Sequence, residues 1–101
     1  MSGASLHFLP ESRDAAKKLA ASLDIPVHEI AVHRFPDGES RVRVHPVKGT
    51  AILFASLNDP NEKLLHLAFA AATLRNDGAT RLILVAPYLC YMRQDMAFAT
   101  G

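Results

Sequence analysis

Two short runs of this sequence are apolar almost throughout, and they limit what the chain can fold into. Residues 51–55 read Ala-Ile-Leu-Phe-Ala, and residues 81–86 are apolar after the first position. Each run has the length of one strand, and a strand without alternating polar positions is covered on both faces. Strands of this kind are typical of a mostly parallel sheet with helices on both sides.

Two stretches with helical spacing lie between the predicted strands. The first follows a short strand at residues 6–9; Ser12 is its expected N-cap and Pro26 its expected end. The second begins at Asp59-Pro60, has a wide apolar face over residues 64–74 and stops near Gly78. This alternation of strand and helix predicts an α/β fold, with a mostly parallel sheet flanked by helices.

The pattern changes between residues 29 and 46. Residues 29–35 predict one strand carrying Ile30 and Val32, and Pro36-Asp37-Gly38 has the chemistry of a turn. Residues 41–45 alternate polar and apolar, as in a strand with one solvated face. We therefore expect a projecting antiparallel hairpin beside the main sheet.

Composition excludes several classes of function. The 101 residues carry 11 Lys and Arg against 10 Asp and Glu, so no basic field predicts binding to nucleic acid or to a membrane. Cys90 is the only cysteine, which fits a reducing compartment. The first residues lack the pattern of a secretory signal, and no apolar run could span a bilayer. The expected location is the cytoplasm.

The predicted turn carries an aromatic residue and two carboxylates. Residues 34–40 read Arg-Phe-Pro-Asp-Gly-Glu-Ser. Taken alone, this is a turn between two strands. However, Phe35 would be displayed on it, and an aromatic face with Asp37 and Glu39 beside it can stack on a purine and accept hydrogen bonds from its amino group.

A second polar set follows the last predicted strand. Arg93, Gln94 and Asp95 leave this strand at its carboxyl end, where ligands bind in open α/β sheets. They are either part of a solvated loop or a set of nucleotide contacts. In the second case the guanidinium would bind phosphate oxygens, and the amide and the carboxylate would bind ribose, base or a hydrated metal. The five histidines show no pair at metal-ligand spacing, which favours surface or partly buried positions. No metal site is predicted within the chain.

The two motifs together resemble a known family. Arg-Phe-Pro-Asp-Gly-Glu about fifty residues before Pro-Tyr-x-x-Tyr-x-Arg-Gln-Asp, with an Asn-Asp-Pro helix start between them, is similar to the N-terminal domain of ribose-phosphate pyrophosphokinase, or phosphoribosyl pyrophosphate synthetase. The likeness continues through residues 17–26 and 74–95 and covers nearly the whole chain.

The resemblance implies a phosphoribosyltransferase-like fold and a set of roles. The family transfers diphosphate from Mg²⁺-ATP to ribose 5-phosphate, and its subunits assemble into homo-oligomers. Positions that match Phe35, Asp37, Gly38 and Glu39 bind ATP at its adenine, in the site of a neighbouring subunit. Those that match Arg93, Gln94 and Asp95 bind ATP from a mobile loop, with Arg93 as the catalytic residue. One departure is Met96, where the family commonly has a basic residue.

The resemblance also sets expectations for the domain organisation. Residues 1–101 would be one N-terminal domain that ends inside the catalytic loop, with the second domain and most of the ribose 5-phosphate site absent. We expect such a fragment to be inactive and to associate with itself through the hairpin at residues 35–45. The alternatives are a non-catalytic protein that regulates the synthetase by co-assembly and a generic α/β nucleotide or sugar binder.

Overall fold

The computed structural model describes residues 3–56 and 60–87. Its elements, in chain order, are β1 (Ala4–Phe8), a 3₁₀ turn (Pro10–Ser12), α1 (Arg13–Leu23), β2 (Val27–Glu29), β3 (Ala31–Arg34), β4 (Ser40–Arg43), β5 (Gly49–Phe54), α2 (Pro60–Asn76) and β6 (Ala79–Val85). The expected Asp59 cap, Cys90 and the expected mobile segment at residues 92–101 lie outside the described residues.

The main sheet has four parallel strands in the order β2-β1-β5-β6. Strands β3 and β4 form a separate antiparallel pair. The predicted α/β class, with a mostly parallel sheet and a projecting hairpin, is therefore confirmed. Among the described strands β6 lies at an edge, and its residues 83–85 are only half-buried. The expectation that this strand is covered on both faces was wrong for the part of the chain described.

The two helices cover opposite faces of the sheet. Alternation along β1 and β5 turns Leu6, Phe8, Ile52 and Phe54 towards α1, where they form one core cluster with Ala16 and others. The other face forms a second cluster against α2, made mainly of the following residues: Ala51, Leu53, Leu82, Leu67, Ala70 and Leu74. A sheet buried on both faces explains why residues 51–55 have no polar position.

The strand predicted at residues 29–35 is two strands in two different sheets. Val27–Glu29 pairs in parallel with β1, whereas Ala31–Arg34 pairs with β4. Ile30 lies between them with its side chain fully buried, and its N–H donates to the Phe8 carbonyl at 2.8 Å. Apolar spacing did not reveal the break, because a buried residue at a bend looks the same in sequence as one inside a strand.

The predicted N-cap position of α1 is confirmed, and its predicted end needs correction. Ser12 occupies the N-cap position, but its Oγ makes no capping bond and instead accepts a hydrogen bond from the Ser56 N–H at 3.2 Å. The helix ends at Leu23, before Pro26, because Asp24 adopts a left-handed conformation with φ of 55°. Its N–H donates to the carbonyls of Ala20 and Ala21, which satisfies the last turn.

No helix in the described part of the chain is both long enough and apolar enough to cross a bilayer.

Candidate functional site

The tip of the hairpin is a tight turn closed by its own backbone. The Gly38 N–H donates to the Phe35 carbonyl at 3.0 Å, and the Phe35 N–H donates to the Glu39 carbonyl at 2.8 Å. Gly38 has a φ of 93°, which side-chain-bearing residues rarely adopt, so glycine is needed here although the space around it is open. The turn chemistry predicted from Pro36-Asp37-Gly38 is confirmed.

The structure brings Phe35, Asp37, Gly38 and Glu39 together on this tip, and all four are exposed. The side chain of Phe35 is 37% exposed, which is high for a large apolar residue. Asp37 Oδ1 accepts a hydrogen bond from the Glu39 N–H at 3.1 Å, which holds this carboxylate over the turn. The tip therefore presents one aromatic ring and two carboxylate residues, which line one surface depression.

Two further residues contact the ring of Phe35. The His33 ring lies 4.4 Å from it, centroid to centroid, in an edge-to-face arrangement with an angle of 76°. The Arg41 guanidinium carbon lies 5.6 Å from the centroid of Phe35, within reach of a cation–π interaction. Sequence reasoning missed both residues. Cross-strand pairing of His33 with Arg41, two residues from the turn, is the signal that could have found them.

The inner face of the hairpin is tied to the body of the domain. Val32 and Val42 form a cross-strand pair and pack against the core cluster on the α2 side of the sheet. Arg34 Nη2 donates to Glu62 Oε1 in the first turn of α2. One face of the hairpin is anchored in this way, while Phe35 at its tip stays exposed.

A depression of about 550 Å³ lies beyond the carboxyl ends of the parallel strands. Most of its lining comes from the 3₁₀ turn and the first turn of α1, which follow β1, and the rest comes from the end of β5 and from the segments after β5 and β6. The lining residues are Pro10, Glu11, Ser12, Arg13, Asp14, Ala15, Phe54, Ser56 and Pro87. The Ser12 Oγ contact with the Ser56 N–H joins the loops after β1 and β5, and Lys63 Nζ donates to the Ser56 carbonyl at 2.9 Å. This is the edge where ligands bind in parallel sheets.

Arg93, Gln94 and Asp95 lie outside the described residues, so their place at this edge stays a prediction. Among the described residues, no group of three or more His, Cys, Asp or Glu side chains is arranged to hold a metal ion.

Three of the five histidines lie close together in space, and one of them, His7, is buried although the sequence favoured surface or partly buried positions. The rings of His28 and His45 stack with centroids 4.0 Å apart, and the His7 ring lies 5.3 Å from that of His28. His7 is fully buried on β1, with Nε2 at 2.8 Å from Ser5 Oγ and Nδ1 without a partner. Burial, followed by the nearby His28 and His45, lowers the pKa of His7 to about 4.

His66 is the second histidine that the sequence interpretation placed too near the surface. It is only 4% exposed on α2, and its Nε2 has no hydrogen-bond partner. Burial lowers its pKa, the Arg34 guanidinium lowers it further, and Glu11 acts in the opposite direction. Both buried histidines therefore behave as neutral core residues rather than as ligands.

Comparisons with known proteins agree with this architecture. A family model described as the N-terminal domain of ribose phosphate pyrophosphokinase matches residues 5–100. The chain is 37% identical over 87 residues to a ribose-phosphate pyrophosphokinase of Methanopyrus kandleri, covering 84% of this chain and 30% of that protein. It is 38% identical over 88 residues to that of Saccharolobus solfataricus, with the same coverage, and 36% identical over 96 residues to that of Thermococcus kodakarensis, covering 94% and 31%.

The fold and the hairpin define an α/β domain with a parallel sheet and a projecting aromatic-tipped hairpin. With residues 5–100 matched, the chain belongs to the family of N-terminal domains of ribose-phosphate pyrophosphokinases. It spans about 30% of the length of the curated relatives described here.

Proposed function

We propose that this chain is the ATP-binding half of a ribose-phosphate diphosphokinase. In that reaction the anomeric hydroxyl of ribose 5-phosphate attacks the β-phosphorus of ATP. A new oxygen–phosphorus bond forms, the bond from the β-phosphorus to the oxygen of the α-phosphate breaks, and AMP leaves while the hydroxyl gives up its proton. Support comes from the family match and from the names of the relatives.

The observation that carries the proposal is the exposed ring of Phe35, which lines one surface depression together with Asp37 and Glu39. An apolar ring held in water is well suited to stack on adenine, because stacking removes both surfaces from solvent. The two carboxylates can accept hydrogen bonds from the adenine amino group. The φ of Gly38 and the backbone bonds of the turn fix the main chain that carries these side chains.

Magnesium enters this proposal with ATP, as part of the substrate. The described residues form no metal site, so no step is assigned to a metal held by them. We propose that Arg93, Gln94 and Asp95 contact the nucleotide and that ribose 5-phosphate binds mostly outside these 101 residues. The chain alone is then inactive, and it associates with a second copy through the hairpin at residues 35–45 so that the tip reaches a neighbouring site.

Nucleotide binding by the chain and its Phe35→Ala variant tests the proposal. Stacking of a base on an aromatic side chain is worth about 1–3 kcal/mol, so the variant should bind Mg²⁺-ATP roughly five- to 150-fold more weakly in calorimetric titrations. Leu23→Ala is the matched control, because Leu23 is equally exposed, at 36%, but lies at the end of α1. It should leave the affinity unchanged.

Equal affinity of both variants would show that the hairpin tip is not the adenine site. Incubation of the chain with Mg²⁺-ATP and ribose 5-phosphate should yield no AMP above a blank, and clear turnover would contradict the assignment of half a site. A chain that binds no nucleotide but co-assembles with an active synthetase would instead be the non-catalytic regulatory partner.

A further inference from the structure

Four side chains form a row along the outer face of the hairpin. Alternation along β3, the start of the turn and β4 places His33, Phe35, Arg41 and Arg43 on the face opposite to the one that packs on the core. All four are exposed. His33 pairs with Arg41 directly across the two strands, and Phe35 follows His33 at the tip. We call these four residues the outer row.

Two members of the outer row contact the ring of Phe35. The His33 ring meets it edge to face, with centroids 4.4 Å apart, and the Arg41 guanidinium carbon lies over it at 5.6 Å from the centroid. Both partners are attached to strands whose backbones are fixed by pairing. The ring therefore has a preferred orientation before any ligand arrives, and the 37% of Phe35 that stays exposed is the surface left for a base.

The guanidinium of Arg41 is not drawn away from the ring by a carboxylate. Neither of the two ion pairs formed among the described residues involves Arg41. It forms none although Asp37 and Glu39 line the same depression, which has a volume of about 510 Å³. With the guanidinium over the ring, both carboxylates can accept hydrogen bonds from a ligand in that depression.

A ring that is oriented in advance binds a base more tightly than a ring that rotates freely. A freely rotating side chain must be ordered when a base stacks on it, and this loss of freedom weakens binding. Neighbouring side chains that lock its orientation remove the cost beforehand. Ordering one side chain is enough to change an affinity roughly two- to tenfold.

We propose that His33 and Arg41 are positioning residues, which hold the ring of Phe35 in the orientation that stacks on the adenine of ATP. This inference rests on the proposed function, and it adds two residues that act through Phe35. Arg43 has no such role, because in the part of the chain that the structure describes Arg41 is the cation that lies over the ring.

Calorimetric titrations with Mg²⁺-ATP and with adenosine test the proposal. Arg41→Ala should weaken the binding of both ligands by the same factor, roughly two- to tenfold, because the stacking surface is affected rather than a phosphate contact. Arg43→Ala is the matched control, since it removes the same charge from the same strand and the same face, two residues farther from the tip. It should leave the affinity for adenosine unchanged.

A double variant and a conservative replacement distinguish positioning from a general structural effect. Once Phe35→Ala has removed the ring, adding Arg41→Ala should cause no further loss of affinity. His33→Ala should weaken binding about as much as Arg41→Ala, whereas His33→Phe keeps an aromatic ring at the same place and should retain the affinity. Circular dichroism checks that each variant is folded.

NMR spectra of the chain without ligand separate failure of this inference from failure of the proposed function. The ring current of Phe35 should shift the side-chain protons of Arg41, and the shift should vanish in Phe35→Ala. If that shift is present but Phe35→Ala binds ATP normally, the adenine site is elsewhere and both proposals are wrong.

Three other results would overturn the positioning role alone. The first is weak binding by Phe35→Ala together with normal binding by Arg41→Ala and His33→Ala. The second is a further loss of affinity when Arg41→Ala is added to Phe35→Ala. The third is a loss that occurs with ATP but not with adenosine and is equal in Arg41→Ala and Arg43→Ala, since the charge of the hairpin would then attract phosphate without any action through the ring.

Discussion

At the residue scale, His7 shows how a polar side chain is accommodated in this core. Its ring is fully buried on a central strand, between Ser5 on the same strand and the stacked rings of His28 and His45. Lys48 lines a second surface depression together with His28 and His45. Nδ1 has no acceptor, so a proton on the ring would be buried with an unsatisfied N–H beside groups that can also become positive. The folded state therefore favours the neutral form of the His7 ring.

The buried histidine predicts a specific dependence of stability on pH. The pKa of His7 is lowered from 6.5 to about 4, so the unfolded state takes up the proton first as the pH falls. The contribution to stability is complete above pH 6.5 and is lost between about 6.5 and 4, at up to 1.4 kcal/mol per pH unit and about 3 kcal/mol in all. The pKa values of His28 and His66 are also lowered, so these residues add to the decrease in the free energy of unfolding as the pH falls.

Urea unfolding between pH 7.5 and 4.5 measures this loss. His7→Gln removes the titrating ring and should flatten the decline of the free energy of unfolding. His33→Gln, at an exposed position on the hairpin, is the control. A decline equally steep in His7→Gln and in the unmodified chain would place the acid sensitivity elsewhere.

At the element scale, the hairpin is the feature that sequence patterns described least well. Turn chemistry located its tip, and alternation located β4, because both signals are local. The boundary between β2 and β3 was missed, since it depends on which partner each segment pairs with. His33 and Arg41 were missed for the same reason: they meet Phe35 only after the two strands pair. The role of Asp37 and Glu39 rests on the resemblance, because acidic turn residues are common.

The position of Ile30 predicts that one side chain anchors the hairpin to the sheet. Ile30→Ala removes a fully buried side chain and should lower the free energy of unfolding by about 2–5 kcal/mol. Because β3 begins at the next residue, amides of β3 and β4 should also exchange hydrogen faster than those of β1 and β5. Ile25→Ala is the control, since Ile25 is buried in the other core cluster, on the α1 side. If Ile25→Ala accelerates amide hydrogen exchange in β3 and β4 to the same degree as Ile30→Ala, Ile30 does not anchor the hairpin.

At the scale of the whole molecule, the sheet and helices could be predicted from sequence. Which of their surfaces are covered and which stay exposed could not. Apolar runs and helical spacing predicted every layer, because burial on both faces leaves a clear pattern. The edge position of β6 and the exposure of Leu65 and Phe69 on α2 depend on which elements pack against each other. An apolar residue looks the same in sequence whether or not another element covers it. Residues 88–101 lie outside the description, so the second half of the proposed site rests on the resemblance.

The proposed reaction predicts the effect of losing Arg93. As the bond from the β-phosphorus to AMP breaks, negative charge grows on the oxygens around it, and an oriented cation stabilises that state more than the ground state. Arg93→Ala in an active full-length protein should lower kcat roughly a hundredfold or more and weaken ATP binding. The KM for ribose 5-phosphate should change little. With both substrates titrated, a kcat within about threefold of the unmodified protein would remove Arg93 from the site.

The strand order has a consequence for how the chain folds as it is made. β1 is synthesised first and lies between β2 and β5. Its pairing with β2 is available as soon as α1 has formed, whereas β5 begins only at Gly49. At 5–20 residues per second, the β5-facing edge of β1 stays unpaired for roughly 2–9 seconds. During that interval the nascent chain is an unfinished sheet, with unpaired backbone N–H and C=O groups at its open edge and uncovered apolar side chains on its faces. This is the stage at which a chaperone can bind it.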